Sequence, residues 1–258
     1  MQVVILCGGL GTRLSEETNT IPKPMVLINE KPIIEHIMMC YSRFGFKEFI
    51  LAGGYKSLVI KKYFLDYNLD KSNVDIDFSN NTKKIKFNKK QIDWKIKIID
   101  SGISLQTGAR LKFIKNFLNK TDDNFFMTYG DGVGNINIKK LLKFHEKNNK
   151  IATMTVVRPQ ARFGSLILKS NKVIKFKEKD KLSEGWINGG FFVLNKKIFN
   201  YLNNKSDCIF EREPLENISK NGQLMAYKHE GFWHPMDTLR DKRDLNNFAK
   251  LKKVPWLV

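Results

Sequence analysis

The chain has few of the residues that staple or ligate. Of its 258 residues three are cysteines, at 7, 40 and 208. They form no CxxC pair and no disulfide framework, at least one thiol must stay unpaired, and a reducing, intracellular setting is expected. The four histidines offer little to zinc. His229 and His234 flank Gly231-Phe232-Trp233 without a third His or Cys at ligand spacing, and His36 and His145 read as structural residues on helices. No apolar stretch approaches the roughly 18 to 20 residues that a spanning helix requires. The run Val3-Val4-Ile5-Leu6-Cys7 is shorter than a signal-peptide core, lacks a basic lead and ends in glycines, so it reads as a strand of a cytoplasmic protein with no membrane partner. Arginine is scarce beside lysine, 8 against 37 within a net charge of +19. A surface built for nucleic acid favours arginine interleaved with aromatics, whereas the lysine runs at 83–97 and 139–150 lie in polar stretches and read as solvated faces. No nucleic-acid partner is expected; a small anionic ligand stays open. Linkers rich in Pro, Gly or Ser, internal repeats and low-complexity tracts are also missing, which favours one domain over 1–258.

What the chain does have is core-forming material, 42% hydrophobic and 12% aromatic residues, enough to exclude wholesale disorder. The apolar run at 3–7 predicts a strand covered on both faces. Ile33, Ile34, Ile37, Met38, Tyr41 and Phe44 recur at helical spacing over 32–44, with Pro32 suited to the first turn. A strand at 49–52 and a helix at 57–67 follow, and this alternation with short glycine-bearing connections argues a parallel α/β sheet. Between 74 and 100 the pattern alternates, in Val74-Asp75-Ile76-Asp77-Phe78 and in Lys95-Ile96-Lys97-Ile98, and predicts an antiparallel insertion or edge ribbon. Further on, helices are expected at 108–118 and 137–147, strands at 125–129, 152–157 and 191–194, short strands at 165–169 and 172–177, and helix around 225–227.

Three segments carry the chemistry. Gly8-Gly9-Leu10-Gly11-Thr12-Arg13-Leu14 directly follows the first strand. Glycines let backbone N–H groups approach a phosphate, and doubly wound sheets bind ligands at the carboxyl end of this strand. The segment lacks the third glycine of the dinucleotide fingerprint and the GK[ST] of a Walker loop. Arg13 at its end can fork onto pyrophosphate oxygens. Pro22-Lys23-Pro24-Met25 brackets a lysine with prolines, which is expected to hold Lys23 in extended backbone. Tyr129-Gly130-Asp131-Gly132 ends an apolar strand with one carboxylate, and Asp237 in His234-Pro235-Met236-Asp237-Thr238 is the candidate second ligand of a Mg²⁺ that bridges to phosphates.

These segments resemble the sugar-1-phosphate nucleotidylyltransferases. Thr107-Gly108-x-Arg110-Leu111, Asn188-Gly189-Gly190-Phe191-Phe192-Val193, Gly231-Phe232-Trp233 and Met236-Asp237-Thr238-Leu239-Arg240-Asp241 narrow the resemblance to the branch that joins CTP to glucose 1-phosphate. The resemblance implies a Rossmann-like, doubly wound mixed α/β sheet with inserted β-ribbons forming a sugar-binding part. The nucleotide part would lie mainly within 1–135 and the sugar-phosphate part mainly within 136–258. It implies that Leu6, Gly8, Gly9, Gly11, Thr12, Thr107, Arg110 and Asp131 contact the nucleotide. Arg13 and Lys23 would act catalytically, on the departing pyrophosphate and the reacting phosphates. Asp131 and Asp237 would hold Mg²⁺, and Glu178, Lys179, Asn188 and Gly189 would bind the sugar phosphate. It further implies an assembly of identical chains. Asp180 stands where that family usually carries proline after Glu-Lys. Another nucleotide, or a heptose or amino-sugar phosphate, stays open as a substrate. The rival from another class, a non-catalytic basic protein that binds nucleic acid, leaves the glycine loop, Lys23 and the paired aspartates without a purpose.

Overall fold

The computed structural model describes residues 1–69, 73–77, 84–87, 92–158, 165–169, 172–177 and 185–258. Seven strands form the central sheet: β1 (Val3–Leu6), β2 (Glu48–Gly53), β3 (Lys95–Asp100), β4 (Asn124–Tyr129), β5 (Ala152–Val157), β6 (Ile187–Asn195) and β7 (Leu224–His229). Their spatial order is β7-β5-β6-β4-β1-β2-β3. All run parallel except β6, which pairs antiparallel with both β4 and β5. The sheet is therefore mixed, and it draws strands from both halves of the chain.

The apolar run of β1 is buried on both faces. Val3 and Ile5 join one core with Ile34, Tyr41, Phe49, Phe126 and Phe191, and Val4 and Leu6 join another with Ile50, Leu111, Phe125 and Phe192. Helices α1 (Ile33–Ser42), α2 (Ser57–Leu65), α4 (Ile138–Asn148) and α6 (Leu239–Ala249) supply the first layer. Helices α3 (Thr107–Phe113) and α5 (Glu213–Lys220) supply the second. The alternation of strand and helix predicts the α/β sheet, and the two helical layers make it the doubly wound, mixed arrangement that the family resemblance implies. Among the described residues no helix is long and apolar enough to cross a membrane.

Two expectations need correcting. Residues 225–227 lie in β7, parallel to β5 with Leu224 opposite Ala152, and are not helical. Leu, Met and Ala favour helix intrinsically, but the free edge beside β5 offers backbone partners that override so weak a preference. The alternating segment at 95–98 belongs to β3, a parallel edge strand of the main sheet with Glu48 opposite Lys95. Its alternation reflects an edge with one wetter face, not an antiparallel partner. An antiparallel ribbon does form between Val74–Asp77 and Lys84–Phe87, and a second between Ser165–Lys169 and Lys172–Lys177.

Candidate active site

A cavity of about 690 Å³ opens at the carboxyl ends of β1 and β4, where the order of strands along the sheet reverses. Because β6 runs antiparallel, its first residues reach the same rim. Every site residue expected from sequence that lies among the described residues lines this cavity: Leu6, Gly8, Gly9, Gly11, Thr12, Arg13, Lys23, Thr107, Arg110, Asp131, Asn188, Gly189 and Asp237. Glu178, Lys179 and Asp180 lie outside the described residues.

A short ribbon that sequence patterning did not reveal assembles the charged end. Gly132–Gly134 pairs antiparallel with Trp233–Pro235, with Gly132 opposite Pro235. Just beyond that register the Met236 N–H donates to the Asp131 carbonyl at 2.7 Å, so two aspartates far apart in sequence stand side by side. Thr238 then caps α6, and the Asp241 carboxylate accepts from the backbone N–H groups of Asp237 and Thr238 at 3.1 and 2.9 Å. Asp241 thus fixes the backbone that carries Asp237. Its signature, Thr followed three residues later by Asp, is visible in the sequence as a capping box.

The Lys23 ammonium lies 2.8 Å from Asp131 Oδ2 and 2.7 Å from Asp237 Oδ1, and Arg13 Nη1 lies 2.8 Å from Asp237 Oδ2. Lys23 is buried while Arg13 is 69% exposed at the mouth. The two carboxylates therefore converge on one cation. Two hard oxygen ligands, with remaining positions left to water and phosphate oxygens, are what Mg²⁺ takes, so the pair fits such an ion. Among the described residues no group of three His, Cys, Asp or Glu gathers as a metal site. The backbone at Lys23 differs from expectation. Pro22 is extended, but Lys23–Met25 form a single 3₁₀ turn, closed by Met25 N–H to Pro22 O at 2.8 Å and Val26 N–H to Lys23 O at 3.1 Å. Pro24 sits in the first turn, where its missing N–H leaves no bond unmade.

In the glycine loop Gly11 is left-handed (φ 68°), and a Cβ there would lie 2.8 Å from Thr18 Cγ2. Gly8 has a different reason to be glycine. An added Cβ would fall on the Arg110 guanidinium, which packs between Gly8 and Gly54. Arg110 is buried, and its Nη atoms donate to the carbonyls of Gly53, Gly102, Gly8 and Leu105 and to Ser101 Oγ. Desolvation pulls its pKa below the usual guanidinium value. The residue expected to contact nucleotide thus holds the backbone behind the loop. The Leu6 carbonyl is likewise occupied, by the Gly130 N–H at 3.0 Å. Cys7 is packing: burial pushes its thiol up to about 12, so no thiolate forms near neutral pH.

The opposite wall comes from α3, β4, β6 and the segment before α5. Thr107 is the first residue of α3; its hydroxyl donates to Glu211 Oε2 at 2.6 Å and accepts from the Phe210 N–H at 2.9 Å. Tyr129 Oη donates to Glu211 Oε1 and itself accepts from Asn188 Nδ2 at 3.3 Å. Trp233 Nε1 donates to the Gly189 carbonyl at 2.8 Å. Sequence reading passed over Glu211, whose surroundings in the chain contain nothing to distinguish it from other surface acids.

This arrangement has parallels in known proteins. Residues 2–250 match the family described as Nucleotidyl transferase. The glucose-1-phosphate cytidylyltransferase of Salmonella typhimurium is 46% identical over 256 residues, covering 99% of this chain and 98% of that one. The D-glycero-alpha-D-manno-heptose 1-phosphate guanylyltransferase of Campylobacter jejuni is 34% identical over 85% of this chain and 87% of its own. Among solved structures, HddC from Yersinia pseudotuberculosis superposes with a TM-score of 0.68 at 25% identity, covering 96% of this chain and 99% of the other. With the match spanning nearly the whole chain, and the cavity lying where its motifs converge, the chain belongs to the nucleotidyl transferase family.

Proposed function

We propose that the protein transfers a cytidylyl group from CTP to α-D-glucose 1-phosphate, giving CDP-glucose and pyrophosphate. The observation that carries this reading is the gathering of Arg13, Lys23, Asp131 and Asp237 at one end of a cavity large enough for a nucleotide and a sugar. The Salmonella typhimurium relative named for this activity supports the choice of substrates.

The acceptor brings its own nucleophile, an anionic phosphate oxygen, so the site needs no general base. That oxygen attacks the α-phosphorus of CTP in line, and the bond to the β-phosphate oxygen breaks as pyrophosphate leaves on the far side. Two anions must be held together, so positioning and positive charge carry the catalysis. Arg13, exposed at the mouth, suits the leaving pyrophosphate; Lys23, buried between the two aspartates, suits the reacting phosphates. Asp131 and Asp237 would hold Mg²⁺, which when bound supplies further positive charge to the phosphate oxygens. The glycine loop, Thr12 and Thr107 would border the nucleotide, and Asn188 and Gly189 the sugar, with Glu178 and Lys179 as its further contacts. The same reading places the protein in the cytoplasm as an assembly of identical chains.

The test is pyrophosphate release by the purified protein, with four NTPs crossed against glucose, mannose, heptose and amino-sugar 1-phosphates. CTP with glucose 1-phosphate should give the highest kcat/KM. A preference for GTP with a heptose phosphate, the pairing in the name of the Campylobacter jejuni relative, would overturn the substrate assignment.

A further inference from the structure

Glu211 is an acid in an unusual position. It lines the main cavity and, with Asn188, also lines an adjoining cavity of about 460 Å³. Its carboxylate joins three separate segments: Oε2 accepts from Thr107 at the start of α3, Oε1 accepts from Tyr129 at the end of β4, and Asn188 of β6 approaches the same tyrosine oxygen. Burial and the neighbouring carboxylate push the Tyr129 phenol well above its ordinary pKa, so it stays protonated and donates. Among the described residues the partners of Glu211 are hydroxyls, with no cation. A carboxylate offers about four acceptor sites, and these two bonds leave about half of them unused on a group that faces the cavity.

An anion without a cationic partner repels phosphate and attracts neutral donors. Neighbouring hydroxyls of a hexose present two donors at a spacing that two carboxylate oxygens can meet. We propose that Glu211 accepts hydrogen bonds from the hydroxyls of the bound sugar and is a specificity-determining residue for it. The inference rests on the substrate reading above. The sugar is favoured over the base because Glu211, Tyr129 and Asn188 form one linked wall. That wall continues into Gly189, whose carbonyl Trp233 fixes at 2.8 Å, whereas the cations Arg13 and Lys23, which suit the phosphates, pair with Asp131 and Asp237 and not with Glu211.

The experiment compares wild type with Glu211→Gln, measuring KM for each substrate, kcat and Tm. In the variant kcat/KM for glucose 1-phosphate should fall by about 10- to 100-fold, the loss expected on removing charge-assisted hydrogen bonds. KM for CTP should stay within about threefold and Tm within about 1 °C, since one exposed charge is removed while the side-chain shape is kept. Monodeoxyglucose 1-phosphates add an arm that a purely structural role would not move. The deoxy position that meets Glu211 should penalise wild type and barely penalise Glu211→Gln, a non-additive cycle. Additive penalties at every position, a rise confined to the KM for CTP, or a loss of Tm with both KM values raised would each overturn the proposal. Failure of the substrate reading itself shows separately, as wild-type protein that releases no pyrophosphate from CTP and glucose 1-phosphate.

Discussion

Replacing Gly8 by alanine tests what the first glycine of the loop is for. Its backbone is not in the left-handed region, so alanine meets no dihedral penalty there, and the whole effect comes from the space its Cβ would occupy. That space is filled by the Arg110 guanidinium. A long side chain can often swing aside, but this one is enclosed: Gly54 covers its other face, and its donors are engaged by Gly8, Gly53, Ser101, Gly102 and Leu105. Displacing it leaves a buried charge with fewer partners. Overpacking typically costs about 1–3 kcal/mol and a lost hydrogen bond to a charged group about 1.5–3 kcal/mol, so partial relaxation leaves an expected destabilisation of about 2–4 kcal/mol. For a chain of this length that corresponds to a fall in Tm of about 5–15 °C, measured by calorimetry or by circular dichroism. Gly9→Ala is the control, because a Cβ there meets nothing within 4 Å; its Tm should stay within about 1 °C. Arg110→Ala should make Gly8→Ala nearly silent, since the clashing partner is gone. If Gly8→Ala melts like wild type while kcat/KM collapses, the glycine serves phosphate approach and this steric account is wrong.

Asp131→Asn keeps the shape and removes one of the two charges facing Lys23; turnover should fall by at least about 100-fold, about 2.7 kcal/mol in the barrier, and activity surviving excess EDTA would refute the metal assignment. Asp241→Ala removes the acceptor for two backbone N–H groups beside Asp237; stability should drop by about 1–2 kcal/mol in a denaturant titration, with kcat lowered although Asp241 does not line the cavity. His145 is buried against Thr153 Oγ1 at 2.9 Å, and burial lowers its pKa to about 4. The unfolded chain, with an ordinary histidine near 6.5, therefore binds more protons between those values, so the stability owed to a neutral His145 is full above about pH 6.5 and falls away as pH drops toward 4, by about 3 kcal/mol in all. His145→Gln should flatten that part of the pH–stability curve, and an unchanged slope would count against the assignment.

The central strands were legible in sequence because burial on both faces leaves a direct chemical trace. Val3, Val4, Ile5 and Leu6 are apolar without interruption because neither side of β1 sees water. At the sheet edges that trace fades. β7 carries Leu, Met and Ala, whose intrinsic preference points to helix, and only the backbone of β5 beside it makes it a strand. β6 extends beyond the apolar run at 191–194 that marks it in the sequence, because Asn188-Gly189-Gly190 interrupts that run. These residues occupy the part of the strand that lines the cavity, and Gly190 has a positive φ of 79° where the pairing with β5 shifts register.

Side-chain types announce the chemistry a residue is capable of, while its partners decide which part of that capacity is left. Thr107 and Arg110 stood in the sequence as polar groups suited to a nucleotide, yet in the folded chain the threonine hydroxyl is held by Glu211 and Phe210, and the guanidinium by backbone carbonyls. Arg110 is nevertheless bound to the site: its positive charge lies directly behind Gly8, and the carbonyls it collects come from the loop after β1, the last residue of β2 and the loop after β3. A lysine could not replace it, because three donors on one nitrogen cannot reach oxygens on so many segments. Asp131 and Asp237 show the converse. Each alone is an ordinary turn or cap residue, and their meaning comes from the Gly132–Gly134 and Trp233–Pro235 pairing that sets them side by side. That pairing has too few residues to show a periodicity, and this is why the acids were visible in sequence while the device that joins them was not.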